Sequence, residues 1–236
     1  MAATASSSEK IVQTALINYL ASMARTVEGS IGRALESLLR RDEKLASEVF
    51  LCEPRINEME IIIDEHAIAL LRRGSLSDSD VRMIVASIKI NNDLERMGDQ
   101  AVNVCQRVLS LAAMQKIENP PELEAMTTAV RAMVSRSLGA LIFQNVDLAR
   151  QVLESDDIVD SFRDSIFENL LDSMKTDPTT VAANLHFVLA TRHLERIADH
   201  TTNIAEDILF WLRGLDVRHG RTQEIATGVS TSSPEL

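Results

Sequence analysis

The 236-residue chain sets 24 Lys and Arg against 35 Asp and Glu, a formal net charge of −11, with 45% hydrophobic and 25% charged residues. Disorder throughout is excluded, and a chain of this length forms one or two domains that remove roughly 70–75% of the unfolded surface from water. Nucleic acid and anionic lipid are excluded as principal ligands, because gripping a phosphate backbone requires an excess of Lys and Arg.

Aromatic residues make up 3% of the chain and Gly and Pro number 8 and 5, so strand and turn formers are scarce and an all-α fold is expected. The first residues, Met1 to Lys10, have neither a basic nor an apolar signal region. No apolar run reaches the ~20 residues of a membrane span. A cytoplasmic protein without membrane insertion is the expectation, and Cys52 and Cys105 then read as reduced core residues.

In chain order, apolar periodicity predicts a first helix over 9–50, which Gly29 and Gly32 bend without ending, since each costs only ~1 kcal/mol relative to Ala. Pro54 opens a second helix over 54–73. Gly74 stops it, and Ser77 with Asp80 caps a third over 78–117. Asn119-Pro120-Pro121 starts a fourth over 121–154, Asp156 a fifth over 156–175, and Asp177-Pro178 a sixth over 178–213. Residues 218–236, rich in Thr, Ser and Gly, read as a frayed tail.

The order long, short, long occurs twice, and the sequence repeats with it. Leu94-Glu95-Arg96-Met97-Gly98-Asp99 recurs 100 residues later as Leu194-Glu195-Arg196-Ile197-Ala198-Asp199, and Asn103 recurs as Asn203. Upstream the offset is 103, with Leu45-Ala46 and Val49 matched by Leu148-Ala149 and Val152. Two tandem three-helix bundles, 9–118 and 119–217, follow.

On the third helix Ile90, Leu94, Met97, Ala101, Val104, Val108 and Leu111 form a stripe at helical spacing, as do Phe187, Ala190, Leu194, Ile197, Ile204, Ile208 and Trp211 on the sixth. These are core. Beside each stripe runs a polar row: Glu95, Asp99 and Asn103 on one helix, Glu195, Asp199 and Asn203 on the other. The second helix adds Glu53, Asn57, Glu60 and Asp64, the fifth Asp156, Asp160 and Asp164. Carboxylates four residues apart share a face and repel each other by a few tenths of a kcal/mol on a bare helix, so a compensating cation is expected. All-oxygen rows suit Mg, Ca, Mn, Fe or Zn, divalent or trivalent. The bland alternative pairs each acid with a surface base such as Arg96, Arg107, Arg192 or Arg196.

Other chemistry is weaker. His66, His186, His193, His200 and His219 lack HExxH or ExxH spacing, and His200 beside Asp199 is the one candidate ligand among them. No phosphate-binding loop, dinucleotide fingerprint or nucleophile elbow is found.

The doubled Leu-Glu-Arg-x-x-Asp-x-x-x-Asn, with Leu45-Ala-x-x-Val49 and Ile61-Ile-Ile-Asp-Glu65, resembles the PhoU family of phosphate-transport regulators. The resemblance implies a cytoplasmic regulator without catalytic activity. Such a protein works with a phosphate ABC transporter and a sensor histidine kinase, restraining phosphate uptake and starvation signalling when phosphate is plentiful. It also implies metal bound on the acidic motifs, here Glu95 and Asp99, Glu195 and Asp199, with partners Glu60, Asp64, Asp160 and Asp164. Oligomeric state is left open, a homodimer being one option. Asn57 faces Asp160 in the repeat, while Glu60 and Asp64 face Arg163 and Phe167, so the two sites are not equivalent. A carboxylate-bridged metalloenzyme or metal store is the competing class, weakened by the missing ExxH.

Overall fold

The structure, a computed structural model, describes residues 2–72, 74, 76–115, 117–217 and 223–224, with 2–13, 216 and 223–224 described by backbone alone. Eight α-helices occur among them: α1 (Ala2–Arg40), α2 (Glu43–Phe50), α3 (Glu53–Leu71), α4 (Asp78–Ala112), α5 (Leu123–Phe143), α6 (Val146–Leu153), α7 (Asp156–Thr176) and α8 (Val181–Arg213). A 3-10 turn, Pro178–Thr180, leads into α8. Two-residue strands, Leu215–Asp216 and Gln223–Glu224, pair antiparallel beyond it. The tail expected over 218–236 otherwise lies outside the described residues.

The single helices expected over 9–50 and 121–154 are each broken in two, at positions 103 residues apart. Arg41 takes φ 55° and Gln144 φ 50°, left-handed conformations that end α1 and α5. The next residue then starts a new helix. Asp42 Oδ1 accepts from the Lys44 and Leu45 amides at 2.9 and 3.1 Å, and Asn145 Oδ1 does the same for Asp147 and Leu148 at 2.9 and 3.1 Å. Such caps are worth ~1 kcal/mol each. Redirected chain then buries Ala46 and Val49 of α2, and Ala149 and Val152 of α6.

The other boundaries lie close to expectation, with the Ser77–Asp80 capping box present. The differences are that α1 begins at Ala2 rather than near 9, α4 ends at Ala112 rather than near 117, α5 begins at Leu123, after the turn made by Pro120 and Pro121, and α8 begins at Val181, after the 3-10 turn. Both apolar stripes read from the sequence are buried throughout. Gly29 and Gly32 lie within an uninterrupted α1, and Cys105 is buried while Cys52 is half-buried, both as free thiols.

Helices α1 to α4 form the first unit and α5 to α8 the second, joined along α4 against α8 and, more narrowly, α1 against α5. Polar groups mark the α4–α8 seam. His200 Nδ1 lies 2.8 Å from Asp93 Oδ1, and His193 Nδ1 lies 2.8 Å from Gln100 Oε1. Shifting each residue by 100 converts one pair into the other, so the seam has twofold pseudo-symmetry. The Asp93 carboxylate can only accept, which places a proton on Nδ1 of His200. Among the described residues no helix is long and apolar enough to cross a membrane.

Candidate functional site

Two antiparallel hairpins, α3 with α4 and α7 with α8, carry the acidic rows. In the first, Asn91 of α4 reaches across to α3, its Nδ2 donating to Asp64 Oδ1 and to the Glu60 carbonyl, both at 3.0 Å. This brings Glu60 and Asp64 alongside Glu95 and Asp99. Partial burial raises the Glu60 carboxyl above its ordinary range, helped by the charges of Asp64 and Asp99. Glu95 is raised by burial, then by Asp99 and Glu60, with Arg96 opposing. The expected set of Glu60, Asp64, Glu95 and Asp99 is thus one group of mutually repelling acids. Asn91 is 1% exposed, and its Oδ1 has no hydrogen-bond partner. Exchanging its amide atoms gives no relief, since both neighbours of Nδ2 are acceptors.

The second hairpin differs. Burial raises Asp199, followed by the charges of Glu195, Asp156 and Asp160, with His200 opposing. Asp156, at the head of the acidic row of the fifth helix, is raised by burial and by Asp160 and Asp157. Through the middle of these acids runs Arg163, paired with Asp164 at 2.8 Å, with Asp160 at 3.4 Å and with Glu195. The bases named from the sequence, Arg96, Arg107, Arg192 and Arg196, make no ion pair among the described residues. The compensating cation is therefore internal to α7.

The asparagines do not extend the rows. Residues four apart on a helix drift by about 40°, and by Asn203 the row has turned onto the seam, where Nδ2 donates to Asp93 Oδ1 at 3.3 Å. Asn103 is half-buried on α4. His200, the histidine candidate, has its Nδ1 on Asp93. Sequence reasoning passed over Asp93 and Asn91 because their partners lie on other helices, 107 and 27 residues away.

Among the described residues no three His, Cys, Asp or Glu side chains converge closely enough to hold a metal ion as they stand. The first set has the chemistry for a hard cation: four carboxylates without a paired base, beside a buried amide oxygen lacking a donor. The second set holds Arg163 where such a cation would sit.

The PhoU domain profile matches this chain twice, over residues 20–108 and 123–208. The chain belongs to the PhoU family. Its matches to the family take in both hairpins. A phosphate-specific transport system accessory protein PhoU homolog of Pseudomonas aeruginosa is 35% identical over 205 residues, 86% of this chain and 84% of that one. A homolog of the same description from Clostridium acetobutylicum is 32% identical over 203 residues, 86% and 93% of the two chains. The crystal structure of PhoU from Pseudomonas aeruginosa aligns with a TM-score of 0.84 at 32% identity, covering 87% of this chain and 99% of that one. PhoU from Streptococcus pneumoniae, at 23% identity and a TM-score of 0.80, covers 89% and 99% and shows the shared fold.

Proposed function

We propose that this PhoU-family protein is a cytoplasmic negative regulator of phosphate uptake and phosphate-starvation signalling, an adaptor between a phosphate ABC transporter and a sensor histidine kinase. The observation that carries the reading is the doubled family match together with relatives described as phosphate-specific transport accessory proteins. The physical form suits it: the helical hairpins present long faces available for partner contact. The first carboxylate set is the cation site in this proposal. A bound cation there would offset most of the local negative charge and shift the balance between docking states. Iron, manganese, zinc or magnesium are the candidates by donor chemistry.

Deleting the gene tests the proposal. Expression of phosphate-starvation genes in phosphate-rich medium should rise. Unchanged expression, with phosphate uptake also unaltered, overturns it.

A further inference from the structure

Each hairpin exposes apolar side chains near its loop, and the repeat places them at matching positions. Ile68, Val81 and Val85 on the first correspond to Leu171, Val181 and Leu185 on the second, all between 36% (Val85) and 51% (Leu185) exposed. Leu71 extends the first patch and Phe167 the second. Isolated exposed apolar residues need no explanation, whereas patches recurring at the same register in both units mark a face kept free of its own core.

Away from the loop the two faces differ in charge. Six residues of α4 beyond Val85, roughly 9 Å along the helix, lies a cleft of about 340 Å³ lined by Glu60, Asp64, Ile88, Lys89, Asn91 and Asn92. The Lys89 ammonium is turned to Asp207, 2.9 Å away. On the second face Arg163 stands in place of Glu60, Arg192 in place of Asn92 and Phe167 in place of Asp64. There Arg163 bonds Asp160, the counterpart of Asn57, and Glu195, the counterpart of Glu95, so Glu95 is the acid of that arrangement which the first face shares. The first face has the acids and the partnerless Asn91 oxygen but no guanidinium of its own.

We propose that the α3–α4 face binds a basic amphipathic helix of a protein partner, its apolar stripe on Ile68, Leu71, Val81 and Val85, and its Arg or Lys two turns further along in the cleft between Glu60, Asp64 and Asn91. The partner's cationic side chain and the metal ion of the proposed function are alternative occupants of these carboxylates, so the peptide test is run with chelator; a metal ion would answer the carboxylates alone. The apolar half of the face answers only to a polypeptide, and its recurrence beside Arg163 gives the charge of the missing side chain. The proposal rests on the adaptor reading and names the chemistry of one of its contacts.

The test uses the full-length protein at physiological ionic strength and two synthetic helices. Both have a leucine stripe, followed two turns later by arginines in one and glutamates in the other. The arginine helix should bind and the glutamate helix should not. Val85→Asp and Glu95→Gln should each weaken binding roughly tenfold or more, while Leu185→Asp on the second face changes it less than about twofold. Ile68→Ser serves where Val85→Asp fails to fold, as checked by circular dichroism. Equal binding of the two helices, equal effects of Val85→Asp and Leu185→Asp, or unchanged affinity in Glu95→Gln overturns the proposal. The adaptor reading fails separately: a deletion strain with normal starvation-gene expression sinks it whatever the peptides do. Full complementation by a folded Val85→Asp protein that has lost the arginine helix overturns the docking face alone.

Discussion

Arg163 stands on α7 at the position that Glu60 occupies on α3, so one step of the repeat exchanges a carboxylate for a guanidinium. On α7 that guanidinium joins Asp160, Asp164 and Glu195. On α3 the carboxylate has Asp64 one turn along its own helix and Asp99 and Glu95 across the hairpin, each adding to repulsion. Two sites built on one motif are thereby divided into one whose repulsion is partly offset by its own guanidinium and one that has no such base.

The first prediction follows from that division. Thermal melts with chelator and with Fe, Mn, Zn or Mg should show metal-dependent stabilisation that grows as RT ln(1 + [L]/Kd), ~2.7 kcal/mol at a hundredfold excess over Kd. Glu95→Gln with Asp99→Asn should abolish the stabilisation and leave the metal-free protein equally or more stable, because repulsion is removed. Asp199→Asn should leave most of the metal effect intact. A wild-type melt that no metal shifts, with a destabilised apo Glu95→Gln/Asp99→Asn variant, would instead assign those acids a structural role.

Arg163 supplies the second. Arg163→Gln removes the partner of Asp160 and Glu195 and leaves like charges adjacent, so the apo protein should lose roughly 1 kcal/mol, a typical scale for a partly exposed network. Arg163→Glu should cost at least as much and, by giving the second hairpin the acid of the first, should add a second metal-binding event in calorimetry. No change in stoichiometry would show that the guanidinium is not what closes the second site.

The third prediction concerns pH. Glu60 and Glu95 are raised in the folded chain above the ordinary glutamate value of 4.5, so just above that value the folded state binds more protons than the unfolded one. Stability from these groups therefore falls as pH rises through the interval. Asp156 and Asp199 act in the same sense from the ordinary aspartate value of 3.8 upward. His193, held down to about 4 by burial, works the other way: between that value and 6.5 the unfolded chain binds the extra proton, so stability from this group rises with pH. The acids are therefore read by difference: in denaturant melts of metal-free protein at about pH 5 and about pH 7, Glu60→Gln with Glu95→Gln should gain more stability on the way up than wild type does. Saturating metal should make wild-type stability rise more steeply with pH, because a ligating carboxylate must first lose its proton. A variant whose midpoint changes with pH as wild type's does would contradict the repulsion.

Much of this was legible in the chain. Core stripes and the starts of α3, α4 and α7 carry local signals, apolar spacing and caps, and local signals survive without tertiary information. Both helix breaks were missed, although Asp42 and Asn145 are good cap residues at the offset that already aligned Leu45 with Leu148. Neither Gly nor Pro marks them, and the apolar periodicity runs on through Arg41 and Gln144. The acids were found because i, i+4 spacing is written in sequence. Their partners were not: Arg163 answers Glu195 on α8, Asn91 answers Asp64 on α3, and His200 answers Asp93 across the seam. Interhelical register decides those pairings, and register depends on packing.

Packing also gives the last prediction, where Gly98 of α4 lies against Ile56 of α3. A Cβ added to Gly98 would sit 3.0 Å from Ile56 Cδ1 and 3.4 Å from its Cγ2, tighter than ordinary van der Waals contact. The second unit has Ala198 at the position of Gly98 and the smaller Val159 at that of Ile56. A methyl has moved from one helix to the other while the volume between them is kept. Gly98→Ala alone gains ~1 kcal/mol of helix propensity and incurs ~1–3 kcal/mol of overpacking, so a net loss is expected. Ile56→Val alone should cost ~0.5–1.5 kcal/mol by leaving a gap. Combined, the two reproduce the arrangement of the second unit, so the double variant should be more stable than the sum of the singles by roughly 1 kcal/mol or more. Denaturant midpoints of the four proteins close this cycle. Strict additivity would mean that Ile56 is free to turn away from the added methyl and that the hairpin is looser at Gly98 than its geometry indicates.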